Sequence, residues 1–240
     1  MFSFLERNPF FFTLAFLAVF SIAGLVEILP GFAKTARPIE GLKPYSLLET
    51  AGRQVYIAEG CYNCHSQLIR PFKAETARYG SYSFSGEYAY DRPFLWGSKR
   101  TGPDLHRIGD KSSIDWHDGH MWEPTSRVAG SIMPAYKHLY NKDVDFETAF
   151  AEAYTQKVVF NVPYDIEGGV QIGADEYVKG DKRTLAKAHQ IFMDEAKEIV
   201  SKMTNKEVKD AFERGEVKEI VALIAYMESL GQKRRVPQAK

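Results

Sequence analysis

The sequence predicts a mostly α protein: a single N-terminal transmembrane helix, then a helical domain with long loops. Three observations carry this. Phe10 to Leu29, "FFFTLAFLAVFSIAGLVEIL", is twenty residues with one charge, Glu27. Ahead of Cys61, and again beyond Leu185, apolar residues recur at helical spacing. Between these segments, aromatic, Pro and Gly residues follow no period, as long loops do.

Twenty helical residues rise about 1.5 Å each and cross roughly 30 Å, the thickness of a bilayer's hydrocarbon core. Pro9 and Pro30 bracket the run. Gly31 and Ala33 offer small residues where a leader peptidase cuts. However, the run exceeds the roughly 7–15 apolar residues of a secretory leader, and Arg7 stands beside Glu6 with little net charge. A retained anchor over residues 1–30 is expected. Glu27 lies near enough to the interface to be tolerated there, or it faces a partner helix.

Residues 31–45 carry Pro and Gly and read as a tether; residues 46–240 read as the main domain. Its first element is a helix over 46–60, with Leu47, Leu48, Ala51, Val55 and Ala58 at helical spacing. Directly after it comes "GCYNCH", which holds both cysteines of the chain, Cys61 and Cys64, followed by His65. Three chemistries use two thiols so placed. A redox disulfide needs a strand before the motif, and here a helix precedes it. A zinc site needs two further ligands, which His117 and His120 are able to supply. Covalent haem attachment explains the most, because two sulfurs bond the vinyl groups at one edge of the macrocycle and the next residue reaches the iron.

A haem at Cys61, Cys64 and His65 asks for a sixth iron ligand or leaves an open site. Met121 and Met133 lie in loop-like sequence, and Pro134 stiffens the backbone just after Met133. Met193, Met203 and Met227 sit at apolar helical positions and read as core. In "RTGPDLHRIG", Pro103 has a carbonyl free to accept the Nδ1–H of His65, a bond that fixes the ring and raises its basicity. Cys-x-x-Cys-His, Gly-Pro-x-Leu and Met-Pro in that order are far more specific than the first motif alone.

Elsewhere the chain is less explicit. From Tyr79 to Trp96 aromatic rings interleave with Ser and Gly. They either cover a small core or form a docking surface, with Tyr88, Tyr90 and Phe94 as contacts. Residues 140–180 look irregular, "NVPYDIEGGVQIG" reading as a loop or short hairpin. Leu185, His189, Phe192, Ala196, Ile199 and Met203 share a helix face, with His189 at its boundary. "TNKE" at Thr204–Glu207 reads as a capping box. The last helix, with a stripe of Val217, Ile220, Val221 and Ile224, ends at Gly231, before a basic tail over 232–240. The 31 basic and 31 acidic residues balance, which argues against a nucleic-acid partner. No phosphate loop or nucleophile elbow occurs.

Taken in order, "ERNPF", "GLVEILP", "GCYNCHSQLIRPF", "WGSKRTGPDLHRIG", "WHDGH" and "SIMPAY" resemble the membrane-anchored mono-haem subunit (subunit II, the FixO/CcoO family) of cbb3-type cytochrome c oxidases. The resemblance is dense over residues 1 to about 140 and returns in the last helix. It implies a class I cytochrome c domain with long loop and helical insertions, in which the helix before Cys61 and the C-terminal helix cross beside one covalently attached haem c. Cys61 and Cys64 then hold the haem, His65 is its proximal ligand and Met133 its distal ligand. It further implies a haem–copper catalytic subunit that reduces dioxygen, with a di-haem cytochrome c subunit or a soluble cytochrome c as donor. The charged segment from about 141 to 215 has no counterpart in a compact cytochrome and reads as an insertion. His117 and His120 match the family's Trp-His-x-x-His, and a loop role is expected for them over metal binding.

Lys34, Arg37 and Lys43 after the span outnumber Arg7 before it, which favours a cytoplasmic domain. Haem c in bacteria is attached outside the cytoplasmic membrane, and long domains translocate largely regardless of nearby charge. A periplasmic haem domain on the bacterial inner membrane is therefore expected. The rivals are a membrane-tethered cytochrome c carrier or nitric oxide reductase small subunit, and a five-coordinate gas sensor in which Met133 is no ligand.

Overall fold

A computed structural model describes residues 2–33, 38–164 and 182–231. All but the first four residues of the loop or short hairpin expected over 161–173, the tether residues 34–37 and the basic tail lie outside them. The chain divides into two compact units, before and after the Arg37–Pro38 bond.

The first unit is a short helix, α1 (Phe2–Arg7), and a long one, α2 (Pro9–Ala33). Asn8 joins them: its side chain donates to the Phe4 carbonyl, and its own carbonyl accepts from the Phe12 amide. Pro9 opens α2, where its missing N–H costs no helical bond. The helix does not stop at Pro30 as the sequence suggests but continues to Ala33. So near the C-terminal end, the lost hydrogen bond of an internal proline is a small fraction of the total. Apolar side chains of α2 are exposed all round, Phe20 and Val26 to 70% and 69%, which suits lipid.

The second unit is helical, and among the described residues it has no strand, only an isolated bridge between Asp143 and Lys218. Its helices are α3 (Leu47–Ala58), α4 (Lys73–Tyr79), α5 (Ile114–Trp122), α6 (Pro124–Arg127), α7 (Phe146–Phe160), α8 (Lys182–Lys202), α9 (Lys206–Glu213) and α10 (Glu219–Ser229). Ser46 opens α3 with a full capping box: its hydroxyl accepts from the Glu49 amide, and Glu49 accepts from the Ser46 amide. Leu47, Leu48, Ala51 and Val55 are buried, whereas Ala58 is exposed.

The core is built on α3 and α10. Every residue of α10 from Ile220 to Ser229 is buried, so the stripe expected from the sequence is only one side of a helix enclosed all round. The two helices meet at Gly52, where a Cβ atom would strike the Ala222 carbonyl and come within 2.8 Å of the Tyr226 Cβ. The Tyr226 ring packs 5.4 Å from those of Tyr45 and Tyr56. At the far end Gly231, at φ +126°, leaves the helix as expected, and the Leu230 carbonyl accepts from the Gly109 amide.

Two of the outer helices correct the sequence reading. Residues 146–160, expected to be irregular, form α7, capped by Asp145 and buried against α3 through Ala149, Phe150 and Ala153. The contact is narrow, two alanines beside one phenylalanine, while Val158 and Val159 remain exposed, which blurs the helical period. The capping residue of α9 is Asn205, not Thr204. Thr204 is turned away: its hydroxyl bonds Asp115 and its amide donates to Asp118. On α8, Ala188, Phe192, Ala196, Ile199 and Val200 are buried and His189 is exposed. Large apolar residues such as Phe150 and Ile220 contribute roughly 2 kcal/mol each by burial.

Gly52→Ala is expected to lower stability by about 3 kcal/mol, since the new methyl meets backbone that cannot rotate away. Thermal unfolding of the detergent-solubilised protein measures this, and an unchanged midpoint refutes the close α3–α10 contact.

Candidate haem site

The site begins where α3 ends. Gly60, at φ +68°, turns the chain into a single tight turn over Cys61–Asn63. The Cys61 carbonyl accepts from the amides of both Cys64 (3.2 Å) and His65 (2.9 Å), so both thiols and the imidazole leave one curl of backbone. Cys61 is half-buried and Cys64 exposed, and no disulfide joins them. Burial, then Glu59 nearby, pushes the Cys61 pKa up to about 12.

His65 is held from three sides. Its Nδ1 lies 2.8 Å from the Pro103 carbonyl oxygen, as the sequence predicts. A carbonyl only accepts, so Nδ1 carries the proton and Nε2 is left to meet a metal. Burial lowers the pKa of the ring, with Pro103 opposing. Gly102 lies under the imidazole: a Cβ there would come within 2.7 Å of Nδ1 and 2.8 Å of Nε2. Gly97, at φ +69°, presses on the backbone, its absent Cβ falling 2.8 Å from the His65 carbonyl oxygen.

The residues following His65 and Pro103 are tied together. The carboxylate of Asp104 is fully buried. It accepts from the Ser66 hydroxyl (2.6 Å), the Leu68 amide (2.8 Å) and the His106 amide (2.9 Å). Arg100 closes the clamp, donating to the Ser66 hydroxyl, the Leu68 carbonyl and Glu75, with Asp104 at 3.5 Å. Arg70 also bonds Glu75. Sequence reading passed over Asp104 as the variable residue of Gly-Pro-x-Leu. The available signal was an Arg and an Asp four apart, flanking the Gly-Pro turn.

After α6 comes "VAGSIMPA", residues 128–135, an uncharged stretch whose residues are exposed or half-buried throughout. Ile132 is 81% exposed. Met133 is half-buried and packs against the core. The pKa of Tyr136 is raised to about 12 by burial, then by Cys61, Glu59 and Cys64, so this segment borders the cysteine turn. Met121 is not in a loop. It lies on α5, 7% exposed, and its carbonyl accepts from the Tyr136 amide.

His117 and His120 also lie on α5, not in a loop. His117 is buried, with Nε2 3.7 Å from a Glu228 carboxylate oxygen, and burial followed by His120 lowers its pKa to about 4. His120 stacks on Trp116, centroids 4.5 Å apart and planes 18° apart. Among the described residues no three His, Cys, Asp or Glu side chains converge as metal ligands. The aromatic stretch splits as well. Tyr88 and Tyr90 are core residues, not docking contacts, and the Tyr88 hydroxyl donates to the Gln67 carbonyl. Phe94 and Trp96 stack at 4.6 Å and remain exposed.

These residues fit a haem. Two thiols and an oriented imidazole leave one turn, and an uncharged, largely apolar segment, residues 128–135, is open to water. A planar apolar macrocycle covers such a segment with no charge to bury.

The clamp gives a pH dependence. Arg100, against the opposing effect of burial and helped by Arg70, lowers the Glu75 pKa from 4.5 to about 2. A carboxylate with a depressed folded pKa contributes stability above its unfolded value and loses it as pH falls. Stability is therefore expected to decline between about pH 4.5 and about 2, and Glu75→Gln to flatten that limb. Acid unfolding curves of the two proteins that superimpose over the window would count against the Glu75 clamp.

A search of the curated proteins finds no match. A scan of protein families matches residues 2–234 to "Cytochrome C oxidase, mono-heme subunit/FixO". With its mostly α fold, an N-terminal apolar helix suited to a transmembrane anchor and the constellation around His65, the chain belongs to the mono-haem subunit (FixO) family of cytochrome c oxidase.

Proposed function

We propose that this subunit holds a covalently attached haem c and relays electrons to a haem–copper catalytic subunit that reduces dioxygen to water. The observation that carries this reading is the His65 Nδ1–Pro103 bond, which commits the imidazole to one tautomer and one orientation. Cys61 and Cys64 would hold the haem through thioethers, and His65 and Met133 would ligate its iron, with Pro103 orienting His65. When bound, the haem supplies a one-electron iron couple, raised in potential by His/Met ligation. The protein's own task is to keep that couple in place. Gly102 lets the Pro103 segment lie against the ring, and the Asp104–Ser66 bond prevents the two segments from sliding. An imidazole held this way has little freedom to reorient between redox states.

The electron comes from a haem c donor, either a di-haem cytochrome c subunit or a soluble cytochrome c, and each one received is passed on. The domain stands on the periplasmic side of the bacterial inner membrane, held by α2. Exposed Phe94 and Trp96, with the Arg92 guanidinium 5.9 Å from the Phe94 ring, are the strongest docking elements left in the aromatic stretch.

Met133→Ala is expected to abolish the weak methionine-to-iron charge-transfer band of the oxidised protein, lower its potential and slow oxygen reduction from a cytochrome c donor. Met121→Ala should instead keep the band and lose about 3 kcal/mol of stability as a core truncation. The opposite pattern of spectra would reverse the ligand assignment. Full turnover by an assembled oxidase whose Met133 variant haem cannot be reduced would refute the relay.

Joint replacement of Phe94 and Trp96 by Ala should weaken co-purification with the catalytic subunit about tenfold or more, the optical spectrum staying as it was. Undiminished assembly would remove this face from the interface.

A further inference from the structure

Between Arg70 and Tyr88 the exposed charges are all of one sign. The two acids of this stretch, Glu75 and Glu87, are buried and paired. Glu75 meets Arg70 and Arg100, and Glu87 meets Arg107 at 2.6 and 2.8 Å. The basic residues Arg70, Lys73 and Arg78 are exposed. Lys111, also exposed, donates to the Arg78 carbonyl and adds a cation beside them.

The same stretch leaves the rings of Phe72, Tyr82 and Phe84 exposed. The two parts are tied together at Ile69 and Ser83. The Ile69 amide donates to the Ser83 hydroxyl, and the Ser83 amide donates to the Ile69 carbonyl. Ser83 turns inward onto His106, so its neighbours Tyr82 and Phe84 turn outward, their centroids 4.5 Å apart. The Arg70 guanidinium lies 5.3 Å from the Phe72 ring.

Rings flanked by Lys and Arg, with the acids withdrawn, suit the surface of a bilayer that contains anionic lipids. Aromatic side chains settle at headgroup level, and the surface charge attracts each basic residue near it. The connectivity of the chain brings such a surface within reach. α2 is long and apolar enough to cross a membrane. Ile39, six residues beyond the end of α2, donates its amide to the Gly86 carbonyl at 3.2 Å. Six residues span about 20 Å at full extension. Chain length alone therefore limits how far Gly86, two residues from Phe84, stands from the end of α2.

We propose that the face carrying Phe72, Tyr82 and Phe84, with Lys73 and Arg78, rests on the anionic headgroups of the membrane that α2 crosses. The inference is independent of the haem reading and rests on α2 as the anchor. A contact there restrains how the domain turns on its tether, which one helix in the membrane does not do.

The test uses the full-length subunit, without a catalytic subunit, in nanodiscs of phosphatidylcholine alone or with added phosphatidylglycerol. Amide hydrogen exchange over residues 70–86 is compared with exchange over α7. The expected result is slower exchange over 70–86 on the anionic discs than on the neutral ones, with α7 unchanged. Joint Lys73→Gln and Arg78→Gln replacement keeps the rings and should remove most of that difference, since each basic side chain contributes roughly fivefold at an anionic surface. Phe72→Ser with Phe84→Ser should lose protection on both discs, with an unchanged thermal midpoint as the check on folding. Equal exchange over 70–86 on the two discs overturns the proposal. So does an anionic effect that survives the Lys73 and Arg78 replacements. Protection that arises only when the catalytic subunit is added assigns the face to a protein interface and overturns the lipid contact. Release of the wild type from membranes by alkaline carbonate would instead overturn the anchor, and this inference with it.

Discussion

The site depends on one buried carboxylate. Asp104 has no solvent to stabilise its charge and takes that role from three donors and a nearby guanidinium. Two of the donors, Ser66 and Leu68, lie just beyond His65 in the chain, and Asp104 itself follows Pro103. Satisfying the charge therefore draws the two segments together at fixed register, and the bond between His65 and Pro103 is a result of that register. The glycines at 97 and 102 make the approach possible, because any side chain at either would occupy the space of His65.

Around this clamp, α3 and α10 form a frame that leaves little room for adjustment. Gly52 places one backbone against the other, and Tyr226 reaches from α10 to Gln67, two residues past His65. Core packing and the ligand turn are thus joined by one hydroxyl. The residues from Pro38 onward form a compact unit of their own.

Much of this was legible in the sequence because the informative residues are local or follow a period. The apolar run of α2, the spacing before Cys61 and the glycine after the last helix need only their neighbours to be read. The motif order from Cys61 to Met133 was legible as a resemblance. Asp104 was not, because its meaning lies in Ser66, 38 residues away, and a lone acid between Pro and Leu has no period. Tyr88 and Tyr90 could not be told from Phe94 and Trp96 by composition; only the path of the loop decides which rings face inward. α7 was lost because its buried face is narrow and two of its valines point into water.

The pairing of α3 with α10 joins residues 52 and 222, at nearly opposite ends of the domain's sequence. Contacts so distant along the chain form late, since a long loop must close before they gain anything. A chain emerging from its N-terminal end presents the cysteine turn well before α10 is available to cover α3. The topology thus sets an order of assembly, with the thiols open to modification first and the enclosing helix arriving last.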